Sequence, residues 1–330
     1  MNVLVTGGGG FIGSALIREL VKRNYRIASF SRGDYPGLRE IGIIIKRGDL
    51  SDKHAVLDAC EGIDVVFHVA SMAGMWGSYR DYYRTNVTGT ENIVNACIAK
   101  NIKGLIYTSS SSVVFNGNDI SNGDESLPYS KSSISHYITT KASAEKIVLN
   151  ANSSSLRTIA LRPHIVIGPG DNHLIPRIIE RAKNGKLRQI GDGKNLVDIT
   201  YIYNAAIAHI CALDSIMTKP GTSGKAYFVS NGEPANLWDV INMILTGAGI
   251  NPVRKSISVK GALALSAAAE AINKILQIRK EPVLTRFAVY ELSKSHWFNM
   301  SSARELLNYT PEISNQESID MVIAAVRKGH

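Results

Sequence analysis

The amino-acid sequence predicts a doubly wound α/β fold with a parallel sheet and a smaller, mixed α/β C-terminal lobe. Three observations carry that prediction. Short apolar runs alternate with amphipathic periods through the first half of the chain, the first run enters a glycine cluster that opens a helix, and beyond about residue 168 the pattern changes to helices, short strands and Gly/Pro punctuation.

Taken in order, Asn2–Val5 is an apolar strand that ends at Gly7-Gly8-Gly9-Gly10, and Ile12–Arg23 then follows a helical period. Further strands are expected at Arg26–Phe30, Ile43–Lys46, Ile63–Val69, Gly104–Thr108 and Arg157–Leu161, with Thr90–Lys100 a helix between two of them. Strands that are apolar throughout are buried on both faces, which requires helices on both sides of the sheet. Residues 1–167 are therefore read as a nucleotide-binding domain and 168–330 as mainly a substrate lobe, with a late strand at Lys225–Val229 returning to the first sheet. In Ala262–Ile278, Ser266, Glu270, Asn273 and Gln277 stand opposite Leu265, Ile272, Ile275 and Leu276. This is an amphipathic helix, too short and too polar to span a bilayer. It is expected to dock on the core, to line an acyl-chain pocket, or to touch a membrane surface.

A length of 330 residues accommodates two lobes at about 150 per domain. With 45% hydrophobic and 20% charged residues, disordered and fibrous classes are excluded. The net charge of +9 favours anionic ligands, but no run of five like charges and no basic stripe with interleaved aromatics points to nucleic acid. Cys60, Cys97 and Cys211 are odd in number and far apart, so neither a disulfide framework nor a CxxC metal site is expected. The N-terminal run has no basic leader and is broken by four glycines, which reads as strand and turn; a cytoplasmic location is expected.

Gly7, Gly10 and Gly13 have G-x-x-G-x-x-G spacing, with Phe11 and Ile12 opening the helix. Glycine there permits a tight turn, close approach of a pyrophosphate, and helix N–H groups facing the anion. At the end of the second strand, Ser31 and Arg32 favour the 2′-phosphate of NADP, while Asp34 keeps NAD as the alternative. After the third strand, Asp49, beside Leu50, either accepts from an adenine amino group or caps a helix. Tyr137 and Lys141 stand four apart on one helix, where an ammonium beside a phenol would lower its pKa for proton exchange. Ser109-Ser110-Ser111-Ser112 ends the fifth strand at the edge where α/β sheets bind ligands. A hydroxyl there can hold a carbonyl in line, and the run of four leaves open which serine does so.

The glycine motif, Asp49, Phe67-His68-Val69-Ala70, Asn86, the serines, Tyr137/Lys141 and Leu161-Arg162-Pro163 together resemble the extended short-chain dehydrogenase/reductase superfamily. The segments YTSSSSVVF, RPHIVIGPGD, GDGKNLVDITYIYNAA and SHWFNMSSARELLNY resemble its 3β-hydroxysteroid dehydrogenase/isomerase branch. SMAGMWGSYRDYYRTNVTGT, SHYITTKA and PGDNHLIPRII are similar to the group of bacterial 2-alkyl-3-oxoalkanoate reductases of long-chain olefin biosynthesis. The resemblance implies an NADPH-dependent reduction of the 3-keto group of a lipid-derived 2-alkyl-3-ketoacid. It implies Tyr137 as proton donor, Lys141 as the group that lowers its pKa and holds the nicotinamide ribose, and Ser110 as the carbonyl-positioning serine. Ala70, Asn86, Pro163 and His164 are placed near the cofactor by the same resemblance. No metal site is expected, since His164 has no second ligand at suitable spacing.

The partner expected is thus a small lipid-like keto acid. Partner enzymes of the same pathway and a homodimer are compatible with the sequence. Oxidation of a 3β-hydroxysteroid or a sterol-4α-carboxylate uses the same Tyr137/Lys141 pair and is the alternative activity. An NAD-dependent epimerase and a non-catalytic cofactor sensor fit less well, the first because of Ser31-Arg32 and the second because a sensor needs no proton donor. Trp76, Tyr79, Tyr82 and Tyr83 could form an apolar substrate wall or belong to the core.

Overall fold

Alternate side chains of the first strand, β1 (Asn2–Thr6), go to opposite faces: Val3 and Val5 join one buried core and Leu4 joins another. This is the period-two geometry of a strand covered on both sides. In the computed structural model, which describes residues 1–132, 134–278 and 280–328, β1 lies inside a seven-stranded sheet whose pairings are all parallel. The other strands are β2 (Arg26–Ser31), β3 (Ile44–Arg47), β4 (Val65–His68), β5 (Gly104–Thr108), β6 (Arg157–Pro163) and β7 (Lys225–Val229). Their spatial order is β7-β6-β5-β4-β1-β2-β3. The order reverses between β1 and β4, so the crevice beyond the carboxyl ends of those two strands is the topological switch point.

The strand ends differ from expectation for local reasons. Ile63 belongs to a turn, its N–H bonding the Cys60 carbonyl, and Ala70 leaves the sheet to donate to Thr6 Oγ1, so β4 is shorter than Ile63–Val69. β6 runs on to Pro163 because β7 pairs beside it through Val229.

The helices that matter for the site are α1 (Phe11–Val21), α2 (Lys53–Ala59), α3 (Gly89–Ala99), α4 (His136–Asn150), α5 (Leu174–Lys183), α6 (Ile202–Thr218), α7 (Leu237–Gly247), α8 (Val259–Ile275) and α9 (Arg286–Ser293). Leu16, Ile17 and Leu20 of α1 and Leu213 and Ile216 of α6 fill the core on one face of the sheet. Val56 of α2, Ile93 and Cys97 of α3, and Ala144 and Val148 of α4 fill the other.

A second, four-stranded sheet joins Ile120–Gly123, His296–Phe298, Leu196–Val197 and Ala235–Asn236. It takes one strand from the first half of the chain, while β7 returns to the main sheet. The fully buried Trp238 of α7 centres the core of this region, with Ala262 of α8 and Val289 of α9 against it. Among the described residues no helix is long and apolar enough to cross a membrane.

Candidate active site

The turn after β1 has no room for side chains. Gly7 has φ +69°, and a Cβ there would lie 2.9 Å from the Ala70 backbone, while a Cβ on Gly13 would lie 2.2 Å from the Gly7 carbonyl oxygen. Gly10 closes the turn onto the Gly7 carbonyl at 2.9 Å and precedes α1 without a side-chain cap. The N–H groups of the first turn, at Phe11 and Ile12, are thus offered at the head of the helix dipole. A cradle that any Cβ would fill, beside an uncapped helix N-terminus at the switch point, fits the pyrophosphate of a dinucleotide.

At the adenosine end the loop after β2 folds back so that the Tyr35 ring covers Gly9; a Cβ on Gly9 would lie 2.4 Å from ring carbons. Ser31 Oγ donates to the Gly33 carbonyl at 3.2 Å. Asp34 is taken up by Arg39 at 3.0 Å, whereas the Arg32 side chain is exposed. Asp49 Oδ1 accepts from Ser51 N–H at 2.9 Å and from Ser51 Oγ at 2.8 Å; these bonds and the charges of Arg32 and Arg84 hold its pKa below the ordinary value. Asp49 does not cap α2, because Asp52 does. Leu50 is buried against Gly89, and its carbonyl accepts from Asn92. Arg84 carries no sequence signal that marks it; folding alone brings its charge to Asp49.

Beyond β5, Ser110 adopts extended backbone and caps the short turn Ser111–Val114, accepting from Ser112 N–H at 3.2 Å. The Ser110 hydroxyl bonds the Ser112 hydroxyl at 2.8 Å and is near enough to the Tyr137 phenol to pull its pKa down. Tyr137 sits in the first turn of α4, which Ser135 caps, and is partly accessible. Lys141, one turn on, is fully buried; its Nζ donates to the Thr108 carbonyl at 2.5 Å and lies 4.2 Å from the centre of the Tyr107 ring. Strand β5 and helix α4 therefore bring Ser110, Tyr137 and Lys141 to one place.

One electrostatic expectation is corrected. The Tyr137 phenol lies above its ordinary pKa: burial dominates, the nearby Ser110 hydroxyl opposes it, and Glu291 pushes it up further. Burial also takes Lys141 from 10.5 to about 7, against the charge of Glu145, so near neutral pH the ammonium is only partly populated. A phenol that keeps its proton through the neutral range is suited to donate it.

The remaining expected residues brace this arrangement. Asn86 lies in a π-helical segment, Tyr83–Thr88, and its amide accepts from Met72 N–H at 2.7 Å and donates to the Met72 carbonyl and to Thr140 Oγ1, each at 3.1 Å. It ties the loop after β4 to α4. His164 is buried between Ser111 Oγ, 2.5 Å from Nδ1, and His296 Nδ1, 2.7 Å from Nε2, and burial holds it neutral. Pro163, also buried, pairs with Val229 at the end of β6. Arg162 on β6 grips Glu145 on α4 at 2.6 Å with both side chains buried, and Tyr129 donates to the same carboxylate at 2.8 Å.

An apolar cavity of about 130 Å³ lies between α5, α7 and α9. Met75, Ile165, Leu174, Ile178, Ala288 and Glu291 are in its wall, and the Glu291 charge is felt by the Tyr137 hydroxyl. Ile165 has φ +24°, a strained conformation for a β-branched residue that aims the chain into this wall. Two guanidinium groups of α5 complete it: Arg177 pairs with Glu281 at 2.6 Å, and burial together with Arg177 lowers the pKa of Arg181. Of the four aromatics expected either as a substrate wall or as core, Tyr82 is core, Tyr79 and Tyr83 are exposed, Trp76 reaches the Ile278 carbonyl at 3.4 Å, and none of them lines this cavity.

A parallel nucleotide-binding sheet with these groups at its carboxyl edge defines an NAD(P)-dependent oxidoreductase of the extended short-chain dehydrogenase/reductase type. The chain belongs to the 3-beta hydroxysteroid dehydrogenase/isomerase family, whose pattern matches residues 4–259. It is 45% identical, over 97% of this chain and 97% of the relative, to the 2-alkyl-3-oxoalkanoate reductase of Stenotrophomonas maltophilia. It is 38% identical, over 98% of this chain and 97% of the relative, to the decarboxylating sterol-4-alpha-carboxylate 3-dehydrogenase of Schizosaccharomyces pombe. The crystal structure of the Bacillus cereus UDP-glucuronic acid 4-epimerase in complex with NAD has the same fold, with TM-score 0.76, 24% identity and 99% of each chain covered.

Proposed function

We propose that the chain is an NADP-dependent reductase that converts the 3-keto group of a lipid-derived 2-alkyl-3-ketoacid to the 3-hydroxyacid. The observation that carries this reading is the placing of Ser110 and Tyr137 together beyond the carboxyl end of β5, where a carbonyl can be held and protonated; the apolar cavity between α5, α7 and α9, with Arg181 in its wall, offers apolar surface and a cation for the acid. The 45% identity to a protein named as such a reductase supports it. The choice of NADP is supported by the exposed Arg32 and by the engagement of Asp34 with Arg39, which removes the nearest carboxylate from the ribose.

The dinucleotide is assigned to the cradle of Gly7, Gly10 and Gly13 and the first turn of α1, with Arg32 toward the 2′-phosphate; when bound in reduced form it supplies the hydride. Ser110 donates a hydrogen bond to the carbonyl oxygen and holds it in place. Tyr137 delivers its proton to the same oxygen as negative charge develops there. Lys141, held on the Thr108 carbonyl, stabilises the phenolate that remains and would hold the nicotinamide ribose. Asn86, Arg162 and Glu145 keep α4 and the loop after β4 in register for this chemistry.

The 38% identity to a sterol-4-alpha-carboxylate dehydrogenase favours one second reading, oxidation of a 3β-hydroxysterol carboxylate. NADPH oxidation against 2-alkyl-3-ketoacids of graded chain length, set beside NAD(P) reduction by 3β-hydroxysteroids, separates the two. Long branched ketoacids are expected to show the higher kcat/KM, rising with chain length by about 0.8 kcal/mol per buried methylene. Efficient turnover of the steroids with inert ketoacids reverses the assignment.

A further inference from the structure

Ser111, His164, His296 and the Glu291 backbone form one hydrogen-bonded chain between the two sheets. Ser111 Oγ lies 2.5 Å from His164 Nδ1, His164 Nε2 lies 2.7 Å from His296 Nδ1, and His296 Nε2 lies 3.0 Å from the Glu291 carbonyl oxygen. The three side chains are buried. Each link comes from a different element: Ser111 opens the turn beyond β5, His164 follows β6, His296 begins a strand of the second sheet, and Glu291 belongs to α9.

The chain has a direction, and its far end fixes it. A carbonyl oxygen only accepts, so His296 Nε2 carries a proton. With one proton on each ring, His296 Nδ1 is bare, His164 Nε2 donates to it, and His164 Nδ1 accepts from the Ser111 hydroxyl. The opposite tautomer of either ring would set a bare nitrogen against a carbonyl oxygen or against a second bare nitrogen. The Glu291 carboxylate is not a link, since its Oε2 stands 4.0 Å from His296 Nε2. Burying two imidazoles costs solvation, and a buried polar chain with every partner in place specifies one arrangement of the elements it joins.

The elements joined here are the two that a substrate would span. Ser110, which precedes Ser111, is assigned to the carbonyl; Ala288, Glu291 and Leu292 of α9 and Ile165, which follows His164, line the apolar cavity. A carbonyl held at Ser110 and an alkyl chain packed on α9 belong to one molecule, so the spacing of the two elements decides how well that molecule fits. We propose that His164 and His296 are positioning residues that hold the α9 wall of the cavity in register with the serine turn and so set the preference for long-chain substrates. The proposal rests on the reading that the cavity receives the alkyl chains.

The test separates the two bonds of His296. His296→Gln puts an amide N–H near the Nε2 position and keeps the bond to Glu291, whereas His296→Asn puts its amide near Nδ1, keeps a partner for His164 and releases α9. For a long 2-alkyl-3-ketoacid, KM is expected to rise about 10-fold in the Asn variant and less than about 3-fold in the Gln variant. The rise is expected to exceed any fall in kcat and to be absent for a short, unbranched ketoacid. Nitrogen-15 NMR of the histidine-labelled wild type, which needs no turnover, is expected to show both rings as neutral Nε2–H tautomers. A proton on Nδ1 of either ring overturns the proposal, as does an equal KM change in the two variants or for the long and short ketoacids. Should the Asn variant not fold, the tautomers and the KM of the Gln variant decide. If ketoacids are inert toward the wild type, the proposed function fails separately, and the KM comparison is made with a 3β-hydroxysteroid.

Discussion

Ser111 and His164 are joined by a 2.5 Å hydrogen bond, both side chains buried, between the ends of two adjacent parallel strands. The bond commits Ser111 to the framework, while its neighbour Ser110 faces the Tyr137 phenol. Ser110→Ala is accordingly expected to lower kcat about 10-fold or more with little loss of stability. Ser111→Ala is expected to lower stability by about 1–3 kcal/mol, since His164 Nδ1 loses its partner, with the smaller effect on kcat. Urea unfolding and steady-state kinetics on both variants decide the matter; a larger kcat loss at Ser111 would exchange the two roles.

Tyr137→Phe removes the proton donor and retains the ring. Turnover is expected to fall by about 100-fold or more, with the cofactor Kd unchanged in a fluorescence titration. Turnover near that of the wild type excludes Tyr137 as the acid.

Lys141 carries a stability penalty as well as a catalytic role. Its pKa falls from 10.5 to about 7 on folding, so between those values the unfolded chain binds more protons and stability rises with pH. At pH 7 this opposes folding by about 5 kcal/mol. Lys141→Met keeps the buried stem and loses the bond to Thr108, worth about 1–2 kcal/mol, so the variant is expected to be the more stable at pH 7. Urea unfolding at pH 7 and near pH 10 should show that advantage shrinking as pH rises. Turnover and cofactor affinity are both expected to drop; a variant less stable than wild type at pH 7 contradicts the burial argument.

The Arg32 guanidinium is exposed at the end of β2 and close enough to Asp49 to lower its pKa. Arg32→Ala is expected to weaken NADPH binding by about 10-fold or more and NADH binding little, the difference a lost charge-assisted phosphate contact makes. Equal weakening of the two cofactors, in parallel titrations, removes Arg32 from the 2′-phosphate.

Arg162 and Glu145 hold the catalytic helix to the sheet through a buried ion pair. Arg162→Met leaves Glu145 buried and uncompensated, which is expected to cost about 3–5 kcal/mol. Combining it with Glu145→Leu is expected to recover most of that loss, because the cost lies in the orphaned charge. A double variant as unstable as the single one would point to packing instead.

Much of the nucleotide-binding half was legible from local pattern. The glycine spacing and the tyrosine–lysine interval of four are statements about turns and helices within a few residues, where backbone geometry leaves little choice. Continuous apolar runs likewise announced a sheet covered on both faces, and Lys225–Val229 was readable as a strand because its composition is that of a buried one. The amphipathic period of α8 was legible too, but a period states only that two faces differ. Which face turns inward depends on what it meets, and here Glu270 meets Arg286 on the next helix while Asn273 meets the Lys280 backbone.

The sequence by itself determined the parallel sheet, the glycine cradle and the placing of Tyr137 and Lys141 on one helical face. Only the tertiary structure decided that Ser110 and not Ser111 meets the phenol, because Ser111 is claimed by His164, and His164 in turn by His296, 132 positions further along the chain. It also decided that burial raises the Tyr137 pKa, since desolvation depends on everything packed around the hydroxyl and not on the residue four places away. Motifs set by covalent proximity are written in the order of the residues; hydrogen-bond partners and desolvation arise from groups far apart in the chain and exist only once it has folded.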